Sequence, residues 1–251
     1  MVVNQYMAKK FLKCFNITIF IKRNLYMELN KTQVLTDNLI IENISMADDN
    51  FLEVFYKEIK GFDAKIVDII NSKKLKIILA NKLSDVLPQG SGDIETYQEY
   101  HPVNRDITVR GLCSDTIGSI CVFFNTVTIQ NIGAILYHEI GHLIDYYDTW
   151  LQEDCRPCLS TTNEFIESYR FCIAKYWKKI KSDKCFRLKH YIQTSTPENV
   201  SVAGVMETFA HCFARLHNKF DDIDIMGKYF TELLPVSEKI YNKFLDSWQN
   251  I

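Results

Sequence analysis

Apolar positions recur at helical spacing along most of the chain and gather into short continuous runs only in its first half. Phe51, Leu52, Phe55 and Ile59 lie three and four apart, predicting a helix capped by Ser45 and ended by Gly61. Phe62, Ile66, Ile69 and Ile70 predict a second helix. Leu75–Leu79 and Ile107–Gly111 read as strands, and Ser119–Phe124 as a stronger one just before the next helix. In that helix Ile132, Ile135, Leu136, Ile140, Leu143, Ile144 and Tyr147 make one buried side. Pro88–Gly92 marks a turn, and residues 94–105 a polar and aromatic surface loop. Further on, Phe165, Tyr169, Ile173, Tyr176, Trp177 and Ile180 share a helical face. Thr194–Pro197 breaks the pattern, Val205–His217 is amphipathic, and helical periodicity runs on to Trp248. Residues 1–45 offer only two short apolar pieces, Ile17–Ile21 and Leu39–Ile44. Strands first and helices afterwards predict an α+β domain over residues 46–251. It would have a small mixed sheet over one helix, a mostly helical C-terminal part and a cysteine-containing insert at about 150–190. Residues 1–45 form an N-terminal extension in this reading.

Composition adds limits. The chain has 251 residues, 47% apolar and 24% charged, which is ordinary for a globular protein. A net charge of −2 gives no overall electrostatic case for nucleic acid or an anionic membrane. No apolar run approaches the ~18 residues of a membrane span, and a monomer is expected. Lys9, Lys10 and Lys13 precede an apolar stretch that is short and broken by Asn16, so no signal peptide is read. A cytoplasmic location or leaderless export follows. Between Arg170 and Lys189 the cations Arg170, Lys175, Lys178, Lys179, Lys181, Lys184, Arg187 and Lys189 face only Asp183, a pattern read as a solvated helix face. The eight cysteines are Cys14, Cys113, Cys121, Cys155, Cys158, Cys172, Cys185 and Cys212. Cys155 and Cys158 form a CxxC, and with Cys172 and Cys185 they offer sulfur for a second metal or a disulfide. The second pair is not a CxxC, so free structural thiols are the expectation.

Chemistry concentrates in His138-Glu-Ile-Gly-His142. Imidazoles four apart on a helix stand on one face and suit a single Zn²⁺, with Glu139 between them as general base. Asp145 lies on the same face, where a carboxylate can accept the second N–H of an imidazole and orient it. Gly141 costs about 1 kcal/mol in a helix relative to Ala, which implies close packing there, for instance by a strand. A catalytic zinc needs a third protein ligand. Candidates are Glu207, Asp148 and His211, the last one turn beyond Glu207. An extended peptide substrate could pair with the strand holding Ser119, Cys121 and Phe123, if that strand is an edge.

His138–Asp145 together with Glu207-Thr-Phe-Ala-His-Cys-Phe-Ala214 resembles the metallopeptidase family of the anthrax lethal factor catalytic domain and the related clostridial Pro-Pro endopeptidases. That resemblance implies a zincin-like fold and Glu207 as third zinc ligand; His211, one turn on along the same face, is read from its spacing as a neighbour behind the ligands. It also implies defined peptide or protein substrates, sometimes containing proline, toxin or effector roles, and secretion as the alternative location. Two positions depart from the family. Val200 stands where a tyrosine hydroxyl is expected, leaving Tyr191, another group or zinc alone to stabilise the oxyanion. His211 stands where a second Glu is common. The function expected is a zinc-dependent endopeptidase acting through an activated water. The alternative is a non-catalytic or weakly active zinc-stabilised binding module.

Overall fold

A computed structural model describes residues 39–43, 47–86, 110–114, 117–124, 127–147, 158–185, 188, 191–219 and 224–248. Leu39–Ile251 forms one compact unit. Its four-stranded mixed sheet has the order β1 (Ile40–Asn43), β2 (Lys76–Ala80), β4 (Ser119–Phe123), β3 (Gly111–Ser114). β1, β2 and β4 run parallel, and β3 is antiparallel to β4. The first strand therefore comes from the segment before residue 46.

Period-two alternation sorts the sheet's side chains. Ile77, Leu79, Ile120 and Val122 face the main core, while Ile78, Ala80, Leu112, Cys121 and Phe123 form a smaller cluster on the other face. Two helices, α1 (Asp49–Lys60) and α2 (Ala64–Ser72), pack into the main core through Phe51, Phe55, Ile59, Ile66, Ile69 and Ile70. The α1 cap is Asp48, whose carboxylate accepts from Phe51 N–H at 2.8 Å; Ser45 lies outside the described residues. Phe62 sits in the turn between the helices rather than in α2. The strand expected at Ile107–Gly111 begins at Gly111, and Ile107 lies outside the described residues.

The remaining helices are α3 (Ile132–Asp145), α4 (Asn163–Ser182), α5 (Val202–Leu216), α6 (Ile225–Tyr229) and α7 (Leu233–Trp248). α5 serves two cores. Phe213 and Ala214 join the sheet-side core, while Val205, Phe209 and Cys212 join a helical cluster with α4, α6 and α7. It consequently lies against α3 along most of its length. Among the described residues no helix is long and apolar enough to cross a membrane.

His217 follows α5 among three rings, with centroids 4.9 Å from Tyr137, 4.6 Å from Phe213 and 5.9 Å from Tyr241. Burial lowers its pKa, with the Asp63 carboxylate partly opposing. The fold thus favours the neutral imidazole. A base whose folded pKa lies below the unfolded value of about 6.5 contributes fully above that pH. Its contribution is lost as pH falls toward the folded pKa. Thermal unfolding followed by circular dichroism is expected to show a midpoint that drops below about pH 6.5. The substitution His217→Phe should flatten that part of the profile, and an unchanged slope would show that His217 is not its source.

Candidate metal centre

α3 carries the two imidazoles because its apolar residues bury the opposite side against the sheet core, leaving the His138 and His142 face toward α5. α5 presents Glu207 to them. Gly141 makes the approach possible. A Cβ there would lie 2.7 Å from Ala210 Cα and 2.8 Å from Ala210 O, a collision with backbone. The close neighbour is helix α5, not a strand. Ala210 is one turn beyond Glu207, so this contact sets how far Glu207 stands from the imidazoles.

Glu207 faces both rings. Its Oε2 is 3.3 Å from His138 Nε2, and its Oε1 is 3.6 Å from His142 Nε2. The two ring planes meet at 89° with centroids 4.8 Å apart. Among the described residues these three form the one cluster of ligating side chains, with donor atoms all within 4.8 Å of one another. A tetrahedral ion holding nitrogen and oxygen at its usual distances separates its donors by ~3.3 Å. Both the donor chemistry and the observed spacings fit a divalent ion such as zinc. His138, His142 and Glu207 could therefore hold a metal ion.

The electrostatics agree. Burial by itself would push the His142 pKa down, but the facing Glu207 carboxylate, with Glu139 and Asp145 adding to it, carries the value up to about 9. The pocket thus favours positive charge between Glu207 and the rings.

Glu139 lies at the base of this group, buried beneath β3. A Cβ on Gly111 would meet its Oε1 at 2.5 Å, so only glycine lets the strand cross it this closely. Burial raises the Glu139 pKa above the ordinary carboxylate value. The two histidines and the donating Cys113 backbone N–H pull it partly back, and Glu207 pushes it up. The result is a carboxylate with increased proton affinity beside the ligands.

Three sequence expectations change here. Asp145 does not orient an imidazole. It is buried at the end of α3, where Oδ1 accepts from Ser160 N–H at 2.7 Å and Oδ2 from Ser160 Oγ at 2.8 Å. Burial pushes its carboxyl up to about 6 despite these bonds, and it ties the 158–161 turn to α3. The Nδ1 atoms of His138 and His142 are buried without a hydrogen-bond partner. Their rings are held by packing instead, with Tyr146 stacked on His142 at 5.9 Å and His211 edge-on to His138 at 5.8 Å. Tyr146 was legible as the residue four beyond His142 on the same face. Ser160 left no sequence signal.

The second change concerns β4. It is paired on both sides, by β2 and β3, and every residue in it is buried. Its backbone is already consumed by the sheet, so Ser119, Cys121 and Phe123 are not a substrate ledge. Cys121 and Phe123 point to the sheet face away from α3. The strand crossing Glu139 is β3.

Third, Tyr191 is buried with its hydroxyl 3.1 Å from His211 Nδ1. It backs His211, which backs His138. Val200 is half-buried and packs on the helical cluster. Tyr169 O–H donates to the Tyr191 carbonyl at 2.9 Å, and Thr208 Oγ1 donates to the same carbonyl, fixing this segment on α5.

No family model matches the chain. No curated protein matches it in sequence. Among solved structures it is similar to the Pro-Pro endopeptidase of Paenibacillus alvei, at 15% identity, with 82% of this chain and 99% of that chain covered and a TM-score of 0.45. At that distance the likeness carries no weight for activity, which rests on the side chains just described.

Asp148 and Cys155 lie outside the described residues. No metal-ligating cluster among the described residues includes Cys158, Cys172 or Cys185. Cys172 is buried in the helical cluster and its thiol donates to Glu232.

The Gly141 contact gives a testable outcome. Alanine would gain about 1 kcal/mol of helix propensity. Its methyl group would nevertheless force α5 away from α3, at a cost of about 1–3 kcal/mol for an overpacked interior. The variant Gly141→Ala is expected to unfold at lower urea and to bind metal more weakly, measured by denaturation and chelator competition. A more stable variant with unchanged metal affinity would show the contact to be dispensable.

Proposed function

We propose that the protein is a zinc-dependent endopeptidase. The observation carrying this reading is the convergence of His138, His142 and Glu207 with a buried carboxylate, Glu139, next to them. Zinc bound there supplies Lewis acidity, polarising a carbonyl and making water a better nucleophile at neutral pH. Glu139 then takes the proton of the attacking water and delivers it to the leaving amide nitrogen. Cys113 N–H and the close pass of Gly111 hold that carboxylate in one position. An extended peptide would run beside β3, the strand nearest Glu139, with Tyr146 lining the His142 side. The lethal-factor-like character of the two motifs fits this reading, as does a peptide or protein substrate.

One observation favours a weaker enzyme or a zinc-stabilised binding module. The Tyr191 hydroxyl is turned to His211, and Val200 offers no hydroxyl. Loss of one oxyanion donor costs about 10²–10³ in rate.

A broad peptide library incubated with the full chain tests the reading. Cleavage should appear with zinc, vanish on chelation and return on zinc addition. Absence of any cleavage by a protein loaded with zinc would remove the endopeptidase and leave the binding module.

A further inference from the structure

The exposed face of α4 has no role in the chemistry above. Helical geometry places Arg170, Phe171, Ala174, Lys178 and Lys181 on one side, opposite Phe165, Tyr169, Cys172, Ile173 and Ile180, which are buried. From Arg170 to Lys184 the chain carries six cations against one acid, Asp183, in a protein whose net charge is −2. Asp183 is itself paired with Lys228, and Lys175 with Glu232. No ion pair among the described residues involves Arg170, Lys178, Lys181 or Lys184. The acids toward the same side, Glu164 and Glu167, lie at the start of α4 before the basic stretch, and Glu164 is paired with Lys239.

Aromatic rings are set among these charges. Phe171 is 55% exposed, the highest value among the large aromatic side chains described, with Lys175 Nζ 5.9 Å from its ring centre. Half-buried Trp177 has Lys181 Nζ 5.8 Å from its ring. The apolar side of α4 is committed to the helical cluster, which leaves its basic side outward. One outward helix face offers neither the groove nor the strand edge that a peptide needs. It can lie on a flat anionic surface. There lysines meet headgroup phosphates and carboxylates, and aromatic rings settle at the interface. Five of the six cations are lysines, point charges rather than the bidentate forks that favour nucleic-acid recognition.

We propose that the Arg170–Lys181 face of α4, with Phe171 projecting from it, docks the protein reversibly on a membrane surface rich in anionic lipids. The interaction is peripheral and electrostatic, so it weakens with salt. It is independent of the metal centre.

Vesicle co-sedimentation of the full chain tests this. Vesicles of phosphatidylcholine with about 30% phosphatidylserine should retain the wild type at low salt, and pure phosphatidylcholine should not. The triple variant Arg170→Glu, Lys178→Glu, Lys181→Glu should lose at least about tenfold in binding, with Phe171→Ser losing less. Far-ultraviolet circular dichroism checks that each variant is folded. If the triple variant is unfolded, Lys178→Gln with Lys181→Gln takes its place. Failure of the folded wild type to bind the anionic vesicles overturns the proposal. So does equal binding by the charge variants, or tighter binding to a polyanionic RNA or an acidic polypeptide than to the vesicles.

Discussion

Glu139→Gln is expected to leave metal binding intact while lowering kcat/KM for peptide cleavage by about 10²–10⁴. Gln matches the shape of Glu, so it fits under Gly111 and still accepts from the Cys113 N–H through its carbonyl oxygen. It cannot take a proton from water. The substitution thus removes the base and little else. Burial raises the native carboxyl's proton affinity, which suits a base working near neutral pH. Equal cleavage by wild type and variant would show that Glu139 moves no proton. Equal absence of cleavage, with zinc retained by both, would favour the binding module.

The second large effect is expected from Glu207→Ala. Glu207 offers one oxygen to each imidazole, at 3.3 and 3.6 Å, and no other carboxylate among the described residues completes the cluster. Changes merely behind the ligands cost 10–100-fold in affinity, so loss of a ligand should weaken zinc by more than about 10². Cleavage should fall with occupancy. The metal-free variant supplies a second readout by NMR titration. Burial alone pushes the His142 pKa down, and Glu207 is the largest opposing charge. Without it, the value should drop well below about 9. A variant that keeps both its zinc and its high His142 pKa would assign the third ligand elsewhere.

The parts of this site legible in sequence were those set by local geometry. Helical periodicity placed the two imidazoles and Glu139 on α3, and the second motif placed Glu207 on α5, where the structure brings it to the rings. The α+β class and mixed sheet followed from the order of strand and helix patterns. What failed depended on contacts across the fold. Ser119–Phe124 is continuously apolar, which is itself the mark of a strand covered on both faces, and it proved central rather than an edge. Asp145 sits on the ligand face by helical arithmetic, yet Ser160 in the following turn claims both its oxygens. Gly141 announced a close neighbour without naming it, because spacing along one helix says nothing of what lies opposite. The first-helix cap moved from Ser45 to Asp48 because both residue types cap equally well and only the chain path decides.

Elemental analysis of the purified full chain after zinc incubation and dialysis tests the metal centre most directly. About one zinc per chain is expected in the wild type and close to none in His138→Ala. A wild type without zinc, or a His138→Ala protein that keeps it, would contradict the assignment of His138, His142 and Glu207 as its ligands.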